Sequence, residues 1–243
     1  SILDEAFEGL DRARENAEAN LKSARELFDR YLDVAFQSQL DFKKVPLEDL
    51  VEVVSGYSFA SGDFGDENPI KSIKITNVGV KKFVQTKTGN LPATFAIDYK
   101  RFCIPTGSLV IALTRSIIAG GLKVALVPNE FSGALLNQRV AALKVPNDPS
   151  LRDFLYLYMS SSAVLDYVHK SANTLMQPNL SINDLKRLPV PIPKEQKIGK
   201  FVDVAMRVSK QTSKMQANYS TRLQDISDLR QSLLQKAFAG ELT

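Results

Sequence analysis

The sequence predicts an α+β protein: one globular domain with a mixed or antiparallel sheet, flanked by two long helices that form an antiparallel coiled coil. Three observations support this fold class. Apolar residues recur at heptad spacing near both ends of the chain. The middle consists of short apolar runs separated by turn-forming residues. Residues 1–40 carry a net charge of −4 and residues 191–243 a net charge of +4, which favours pairing of the two ends.

The composition limits the class of protein. With 243 residues and 44% hydrophobic content, the chain can bury a sizeable core in one large or two small domains. A single cysteine, Cys103, and a single histidine, His169, provide neither a disulfide framework nor a Cys/His metal site. We therefore expect a cytoplasmic protein without a bound metal. No apolar run reaches the ~18 residues of a membrane span, so we expect no membrane contact.

The first long helix follows from apolar residues that alternate steps of four and three, with Arg14 as the one position off the pattern. The members of this seam are Leu3, Phe7, Leu10, Ala17, Leu21, Ala24, Phe28, Tyr31 and Ala35. The pattern predicts a coiled-coil helix of about 50 Å. It should end before the proline-containing segment 43–46. An amphipathic helix lying on the globular core is the alternative interpretation.

The middle of the chain reads as strands and short helices. The predicted strands are 50–54, 70–76, 94–97, 109–114, 122–127 and 139–145. Residues 150–168 have near-helical apolar spacing and predict one or two helices. In 177–181, Ser181 or Asn179 is expected to cap a short helix that follows, which we favour over base contact.

The second long helix is predicted beyond residues 188–193, where proline alternates with aliphatic residues and favours an extended connector. Glu195 should open this helix, Thr212 should lie on its seam, and the register should shift near Tyr219. Its apolar positions are Ile198, Phe201, Val202, Ala205, Val208, Met215, Tyr219, Leu223, Ile226, Leu229 and Leu233. The predicted domains are therefore 1–40 and 191–243 as spacer helices, and 41–190 between them.

The packing between the spacer helices is predicted from large apolar residues near the two ends of the chain. They are Leu3, Phe7, Leu10, Leu21, Phe28, Ile226, Leu229, Leu233 and Phe238.

A basic, polar segment predicts contact with DNA. Between residues 71 and 101 there are seven basic residues and one acidic residue, Asp98. Basic residues interleaved with hydroxyl and amide side chains are typical of loops that contact phosphates and bases. The candidates are Lys71, Lys74, Thr76, Asn77, Lys81 and Lys82. A solvated strand-and-loop face is the alternative.

Two later clusters predict base-reading side chains beside strands. The first contains Arg115 and Ser116, and the second contains Gln138 and Arg139. Arginine forms paired hydrogen bonds with guanine and glutamine does so with adenine, which makes these residues the candidates for base recognition.

Catalytic signals are weak throughout. The sequence contains no glycine-rich phosphate loop and no Gly-x-Ser-x-Gly motif. Asp98 and Lys100 resemble half of a nuclease motif, but no Pro-Asp dipeptide precedes them. We therefore expect a non-catalytic chain.

The motifs resemble one known family. Residues 229–242 resemble the distal conserved helix of the specificity (S) subunit of type I restriction-modification enzymes, and residues 2–10 with 24–28 resemble its central conserved helix. Segments 56–59, 107–115, 136–138, 177–181 and 188–193 resemble, in the same order, the family's target recognition domain and hinge. One departure is Ser108, where the family pattern has an acidic residue after the glycine.

The resemblance implies a subunit that reads double-stranded DNA, one half of an interrupted site per recognition domain. It also implies that methyltransferase (M) subunits and a restriction/translocase (R) subunit dock on the chain. S-adenosylmethionine, ATP and magnesium would serve those partners, and this chain would bind no cofactor. A single recognition domain suggests part of a longer subunit, or a half-subunit that forms a homodimer through its long helices. The competing hypothesis is a coiled-coil interaction module whose middle domain binds protein or carbohydrate.

Overall fold

The computed structural model describes residues 2–37, 42–86, 89–118, 121–171, 179–193 and 197–240. In these ranges the α-helices are α1 Ile2–Gln37, α2 Phe95–Asp98, α3 Pro149–Met159, α4 Ser162–Ser171, α5 Ile182–Arg187 and α6 Ile198–Phe238. None of these helices has both the length and the hydropathy that crossing a bilayer requires. The predicted helix start at Glu195 lies outside the described residues, as do residues 177 and 178 of the predicted capping segment.

The strands form small sheets of mixed and antiparallel pairing. They are β1 Phe42–Pro46, β2 Glu52–Ser55, β3 Ser72–Ile73, β4 Cys103–Ile104, β5 Leu109–Ala112, β6 Ile117–Ile118, β7 Gly121–Leu122, β8 Val124–Leu126, β9 Ala134–Leu136, β10 Val140–Lys144 and β11 Pro189–Pro193. One antiparallel sheet has the order β2-β10-β5-β8, and another has the order β3-β9-β4 with a parallel β3·β9 pair. The predicted α+β class with a mixed or antiparallel sheet is confirmed.

Contacts along the chain divide it into two compact units, Ser1–Tyr31 with Asp203–Thr243 and Leu32–Val202. In the first unit, α1 and α6 run antiparallel: Asp11 pairs with Arg230, while the Gln216 amide donates to the Ala24 carbonyl at 3.2 Å. The buried residues Ala17, Leu21 and Ala24 give α1 its apolar seam. The predicted antiparallel pairing of the end helices is therefore confirmed.

The seam of α6 differs from its prediction at two positions. Gln216 and Arg230 lie partly buried, whereas the neighbouring Met215 and Leu229 are 39% and 50% exposed. Each polar residue finds a partner on α1, and Arg230 also lies 5.4 Å from the centroid of the Phe7 ring. Thr212 is buried on the seam, as predicted.

The predicted packing residues are covered to different degrees. Leu21 is buried, and partial burial is found for Leu3, Phe7, Leu10, Phe28, Ile226 and Leu233. Leu229 and Phe238 are 50% and 89% exposed, so α1 does not cover them. The inward positions of α6 run through Arg230 and Ala237 instead, which turns Leu229 and Phe238 outward.

The second unit has a core shared by its two main sheets. Val110 and Ala142 of the four-stranded sheet belong to the same buried cluster as Ile73, Ile104 and Leu136 of the three-stranded sheet. Each Å² of apolar surface that is removed from water contributes roughly 25 cal/mol to folding, so this cluster is the main stabilising element of the unit.

A second packed group in this unit consists of aromatic side chains. The rings of Phe36, Phe154 and Phe201 lie 5.1–5.6 Å apart, centroid to centroid, in edge or tilted arrangements. These rings tie the end of α1, helix α3 and the start of α6 into one packed group.

Most predicted elements of this unit are present. Strands β2, β5, β8 and β10 overlap four predicted strands, and α3 with α4 covers the predicted helical segment. The strand predicted at 94–97 is wrong. The Pro92 carbonyl accepts a hydrogen bond from the Phe95 N–H, and this turn leads into helix α2. The strand predicted at 70–76 is shorter than expected: it consists of β3, which is followed by a 3-10 turn at Ile75–Asn77.

The proline-rich connector is extended, as predicted, and it is also paired. Strand β11 aligns antiparallel with β1, with Phe42 opposite Pro193 and Pro46 opposite Pro189. Prolines at alternate positions leave only every second residue of β11 with an N–H donor, which is enough for pairing with β1 along one edge of the strand.

Candidate functional site

The candidate site lies at one edge of the four-stranded sheet, where strands β2 and β5 end and β8 and β10 begin. The pairing fixes this edge, because Val140 at the start of β10 lies opposite Ala112 at the end of β5. Ala141 lies opposite Ser55 at the end of β2, and Ile111 lies opposite Val124 at the start of β8. The loops that leave these strands therefore meet at the same edge.

Backbone hydrogen bonds join the loops to one another. The Leu113 N–H donates to the Arg139 carbonyl at 2.8 Å, and the Leu180 N–H donates to the Leu113 carbonyl at 2.9 Å. The Gln138 N–H donates to the Tyr57 carbonyl at 2.8 Å. Arg115, which is distant in sequence from the adjacent residues Gln138 and Arg139, is thus brought to the same surface as they are, and all three residues are exposed.

The arginines of this surface have an unusual backbone. Arg115 has φ 47° and Arg139 has φ 68°, both in the left-handed region. In the described part of the chain, the third non-glycine residue with positive φ is Lys81, at 54°. This conformation costs a residue other than glycine about 1–2 kcal/mol. Residues under such strain concentrate at functional sites.

Ser116 has a structural role. It is fully buried, and its Oγ accepts a hydrogen bond from the Leu180 N–H at 3.2 Å. Its side chain therefore cannot reach a DNA molecule at this surface, contrary to the sequence prediction. Asn179 supports the same turn, since its Oδ1 accepts from the Arg115 N–H at 3.0 Å. The capping prediction for Ser181 is confirmed, because its Oγ accepts from the Asp184 N–H at 3.0 Å at the start of α5.

Asn77 also has a structural role. Its buried side chain accepts from the Lys74 N–H at 2.8 Å and donates to the Val84 carbonyl and to Thr86 Oγ1, each at 3.0 Å. These bonds close the loop, so burial removes Asn77 from the predicted DNA-contacting set. Thr76 beside it is exposed.

Lys123 is a basic residue of this edge that the sequence did not single out. Its Nζ donates to the Ile75 carbonyl at 3.3 Å, and its N–H donates to the Ser116 carbonyl at 2.8 Å. Burial lowers the pKa of Lys123, and the positive charge of Arg115 lowers it further. Lys123 was not among the predicted DNA-contacting residues, because it lies within a predicted strand.

Tyr57 is the second residue that sequence reasoning missed. It follows Gly56 at the end of β2, and its ring is 39% exposed. Gly56 permits the close approach of the two loops, because a Cβ there would lie 2.0 Å from the Asn137 carbonyl oxygen. The only sequence signal was the glycine-aromatic segment 56–59, which gave no role to the tyrosine.

The remaining predicted lysines differ in their surroundings. The Lys71 Nζ donates to the Glu130 carbonyl at 2.6 Å, and the Lys74 Nζ lies 3.6 Å from the centroid of the Phe64 ring. Burial lowers the pKa of Lys74. The Lys81 carbonyl accepts from the Tyr156 hydroxyl at 2.7 Å, and Lys82 is exposed. These four lysines belong to the same unit as the candidate edge.

Comparisons with known proteins agree on a family. A family model described as the type I restriction modification DNA specificity domain matches residues 39–216. The MjaVIII type I restriction enzyme specificity subunit of Methanocaldococcus jannaschii is 29% identical over 157 residues, which is 63% of this chain and 36% of that protein. The EcoBI specificity subunit of Escherichia coli is 28% identical over 90 residues, 37% of this chain and 19% of that protein.

Solved structures share the fold. One, from work on complex assembly and conformational transition of the type I R-M system, has a TM-score of 0.74 and 16% identity, covering 97% of this chain and 57% of that one. The HsdS subunit from Thermoanaerobacter tengcongensis has a TM-score of 0.60 and 16% identity, covering 98% and 57%. The chain thus spans little more than half the length of these structures, and its alignments span about a third or less of the curated relatives.

Proposed function

Since the chain belongs to the family of type I restriction modification DNA specificity domains, we propose that it recognises DNA sequence as a specificity subunit or as one half of such a subunit. The observation that carries this proposal is the loop surface at the sheet edge. There, Arg115 lies on one loop and the neighbouring residues Gln138 and Arg139 lie on another, and backbone hydrogen bonds hold the two loops together.

The residues of this surface divide by the contact that each can make. Gln138 and Arg139 carry the amide and guanidinium groups that form paired hydrogen bonds with adenine and guanine. Lys81 and Lys82 lie on a loop of the same unit and supply charge that neutralises phosphates. In this proposal the surface reads one half of an interrupted site, because the described residues present one such sheet edge.

The paired helices serve as a spacer and a docking surface in this proposal. Leu229, Leu234 and Phe238 are 50%, 40% and 89% exposed on α6, which supports a protein partner along this helix. Methyltransferase subunits dock on the chain, and a restriction/translocase subunit completes the complex. A homodimer through the same helices would present two inverted readers and would favour a palindromic interrupted site.

The chain itself contributes recognition and no chemistry. S-adenosylmethionine, ATP and magnesium belong to the partner subunits in this proposal. Asp98, the acid of the weak nuclease motif, is exposed at the end of α2.

The test is to reconstitute the chain with a cognate methyltransferase subunit and map the methylated adenines. We expect methylation at one interrupted sequence. Neutralising Lys81 and Lys82 should weaken binding equally on all sequences and lower the salt slope by about one per lysine. Changing Gln138 or Arg139 to alanine should instead change the preferred sequence. Methylation without sequence preference, or unchanged binding in both sets of variants, would contradict the proposal.

A further inference from the structure

We propose that Tyr57 is a further DNA-contacting residue of this surface, donating a hydrogen bond to an acceptor atom of DNA, and that Tyr99 positions it. This inference rests on the proposed function of the sheet edge. The acceptor is either a base atom in the groove or a phosphate oxygen, and the experiment below distinguishes the two.

The backbone of Tyr57 is fixed to the loop that carries the base-reading candidates. Its N–H donates to the Leu136 carbonyl at 2.9 Å, and its own carbonyl accepts from the Gln138 N–H at 2.8 Å. These bonds form a parallel bridge between Tyr57 and Asn137. Tyr57 and Gln138 therefore lie on adjacent backbone segments of the same loop surface.

The ring of Tyr57 is supported on one side and open on the other. Its centroid lies 4.7 Å from that of Tyr99, 5.1 Å from Phe59 and 5.3 Å from Phe102. Phe59 is 6% exposed and anchors this aromatic group in a buried cluster with Leu91 and Leu135. Tyr57 keeps 39% of its surface exposed, so it is the outer member of the group. Its position is thus set before DNA binds, which reduces the entropy lost on binding.

The hydroxyl groups leave one proton free to donate outward. The rings of Tyr57 and Tyr99 are in contact, and hydrogen bonding with Tyr57, burial, and the negative charges of Tyr57, Asp63 and Asp98 raise the pKa of Tyr99. A tyrosine hydroxyl is both a donor and an acceptor, so the Tyr57 hydroxyl can accept from Tyr99 and still donate its own proton to an external acceptor. Phosphate oxygens and the acceptor atoms of purines and thymine meet this requirement.

The inference is tested in the chain reconstituted with its methyltransferase subunit, using Tyr57→Phe, Tyr99→Phe and the double variant. Tyr219→Phe, which removes a hydroxyl from α6, is the matched control. We expect Tyr57→Phe to weaken DNA binding by about five- to tenfold, the range for one hydrogen bond, with unchanged thermal stability. Tyr99→Phe should weaken binding less, and the double variant should bind like Tyr57→Phe alone, since the residues act through one hydroxyl.

The pattern of loss identifies the acceptor. A changed sequence preference in Tyr57→Phe indicates a base contact, whereas equal loss on all sequences indicates a phosphate contact. Binding by Tyr57→Phe within twofold of wild type overturns the inference. Gln138→Ala and Arg139→Ala are measured in parallel: if they also bind as wild type, the proposed function of the edge fails, and if they lose binding, only the role of Tyr57 fails.

Discussion

Asn179 holds the backbone of Arg115 through a hydrogen bond of 3.0 Å from the Arg115 N–H to the Asn179 Oδ1. Arg115 is in the left-handed conformation with φ 47°, so its turn depends on contacts made by its surroundings. Leu180, the next residue, donates its N–H to the Leu113 carbonyl at 2.9 Å. The chain at 179–180 therefore acts as a brace for the turn that carries the arginine.

The brace predicts the effect of changing Asn179. Asn179→Ala should lower the free energy of unfolding by about 1 kcal/mol, because the Arg115 N–H loses its acceptor. DNA binding should weaken as well. Asn179→Asp keeps an acceptor and should retain most of the stability. Urea denaturation measures both variants, and an equal loss in the two would show that the hydrogen bond is not the cause.

Relief of strain at Arg139 should separate stability from binding. Arg139→Gly removes the penalty of φ 68° and should raise the free energy of unfolding by about 0.5–1 kcal/mol, after the extra entropy of glycine in the unfolded chain is subtracted. Arg139→Ala keeps the strain and should gain nothing. Both variants lose the guanidinium and should bind DNA more weakly. A glycine variant no more stable than the alanine variant would contradict the strain argument.

The contact at Gly56 predicts a large local effect. Gly56→Ala would place a methyl group 2.0 Å from the Asn137 carbonyl oxygen, so the two loops must separate. We expect a loss of about 3 kcal/mol in the free energy of unfolding. Gly62→Ala is the control, because no atom lies within 4 Å of a Cβ there. Chemical denaturation that shows similar losses for both would argue against the contact.

The pair of Asp11 and Arg230 should contribute modestly. Both side chains are 42% exposed, so solvent screens the attraction. Arg230→Met should lower the free energy of unfolding by about 0.5–1 kcal/mol, including the lost contact with Phe7. Glu18→Gln, which breaks the exposed pair with Arg14 at 3.9 Å, should have a smaller effect. A loss in Arg230→Met that is unchanged in high salt would assign it to packing.

Tyr158 predicts a pH dependence at the alkaline end. Burial raises its pKa from 10.0 to about 12, and its hydroxyl donates to the Pro189 carbonyl at 2.8 Å. The folded state therefore holds the proton more tightly than the unfolded state, so the stabilisation is complete below pH 10 and is lost as the pH rises towards 12. Tyr158→Phe should be less stable than wild type at pH 8, and the difference should shrink above pH 10. Denaturation curves from pH 8 to 11.5 measure this, and a constant difference would refute it.

The sequence predicted the elements better than it predicted the partners of polar residues. Heptad spacing located both long helices, yet it placed Met215 and Leu229 on the seam where Gln216 and Arg230 lie. Periodicity counts apolar residues, whereas these two polar residues turn inward because Ala24 and Asp11 offer them partners. Such partners depend on the alignment of the helices, which a single sequence does not disclose.

The candidate site was predicted only in part, because a single sequence does not disclose which distant residues become neighbours. Arg115, Gln138 and Arg139 were proposed from residue type, and strand pairing brings them to one edge, while their contact with DNA stays a prediction. Asn77 and Ser116 were predicted from their residue type to contact DNA, but both are buried. An amide or hydroxyl group can form a hydrogen bond within a loop as well as one to a base. Lys123 and Tyr57 were missed because their surroundings arise from residues distant in sequence.

The ribbon of β1 and β11 sets the conditions under which the segment between them could be replaced as a unit. Phe42 lies opposite Pro193, so the chain enters and leaves this segment at neighbouring points. A recombination event with one junction in each strand would replace everything from one strand to the other. Such a replacement would also have to fit Phe36 and Phe201, which lie outside the segment and pack on Phe154 inside it.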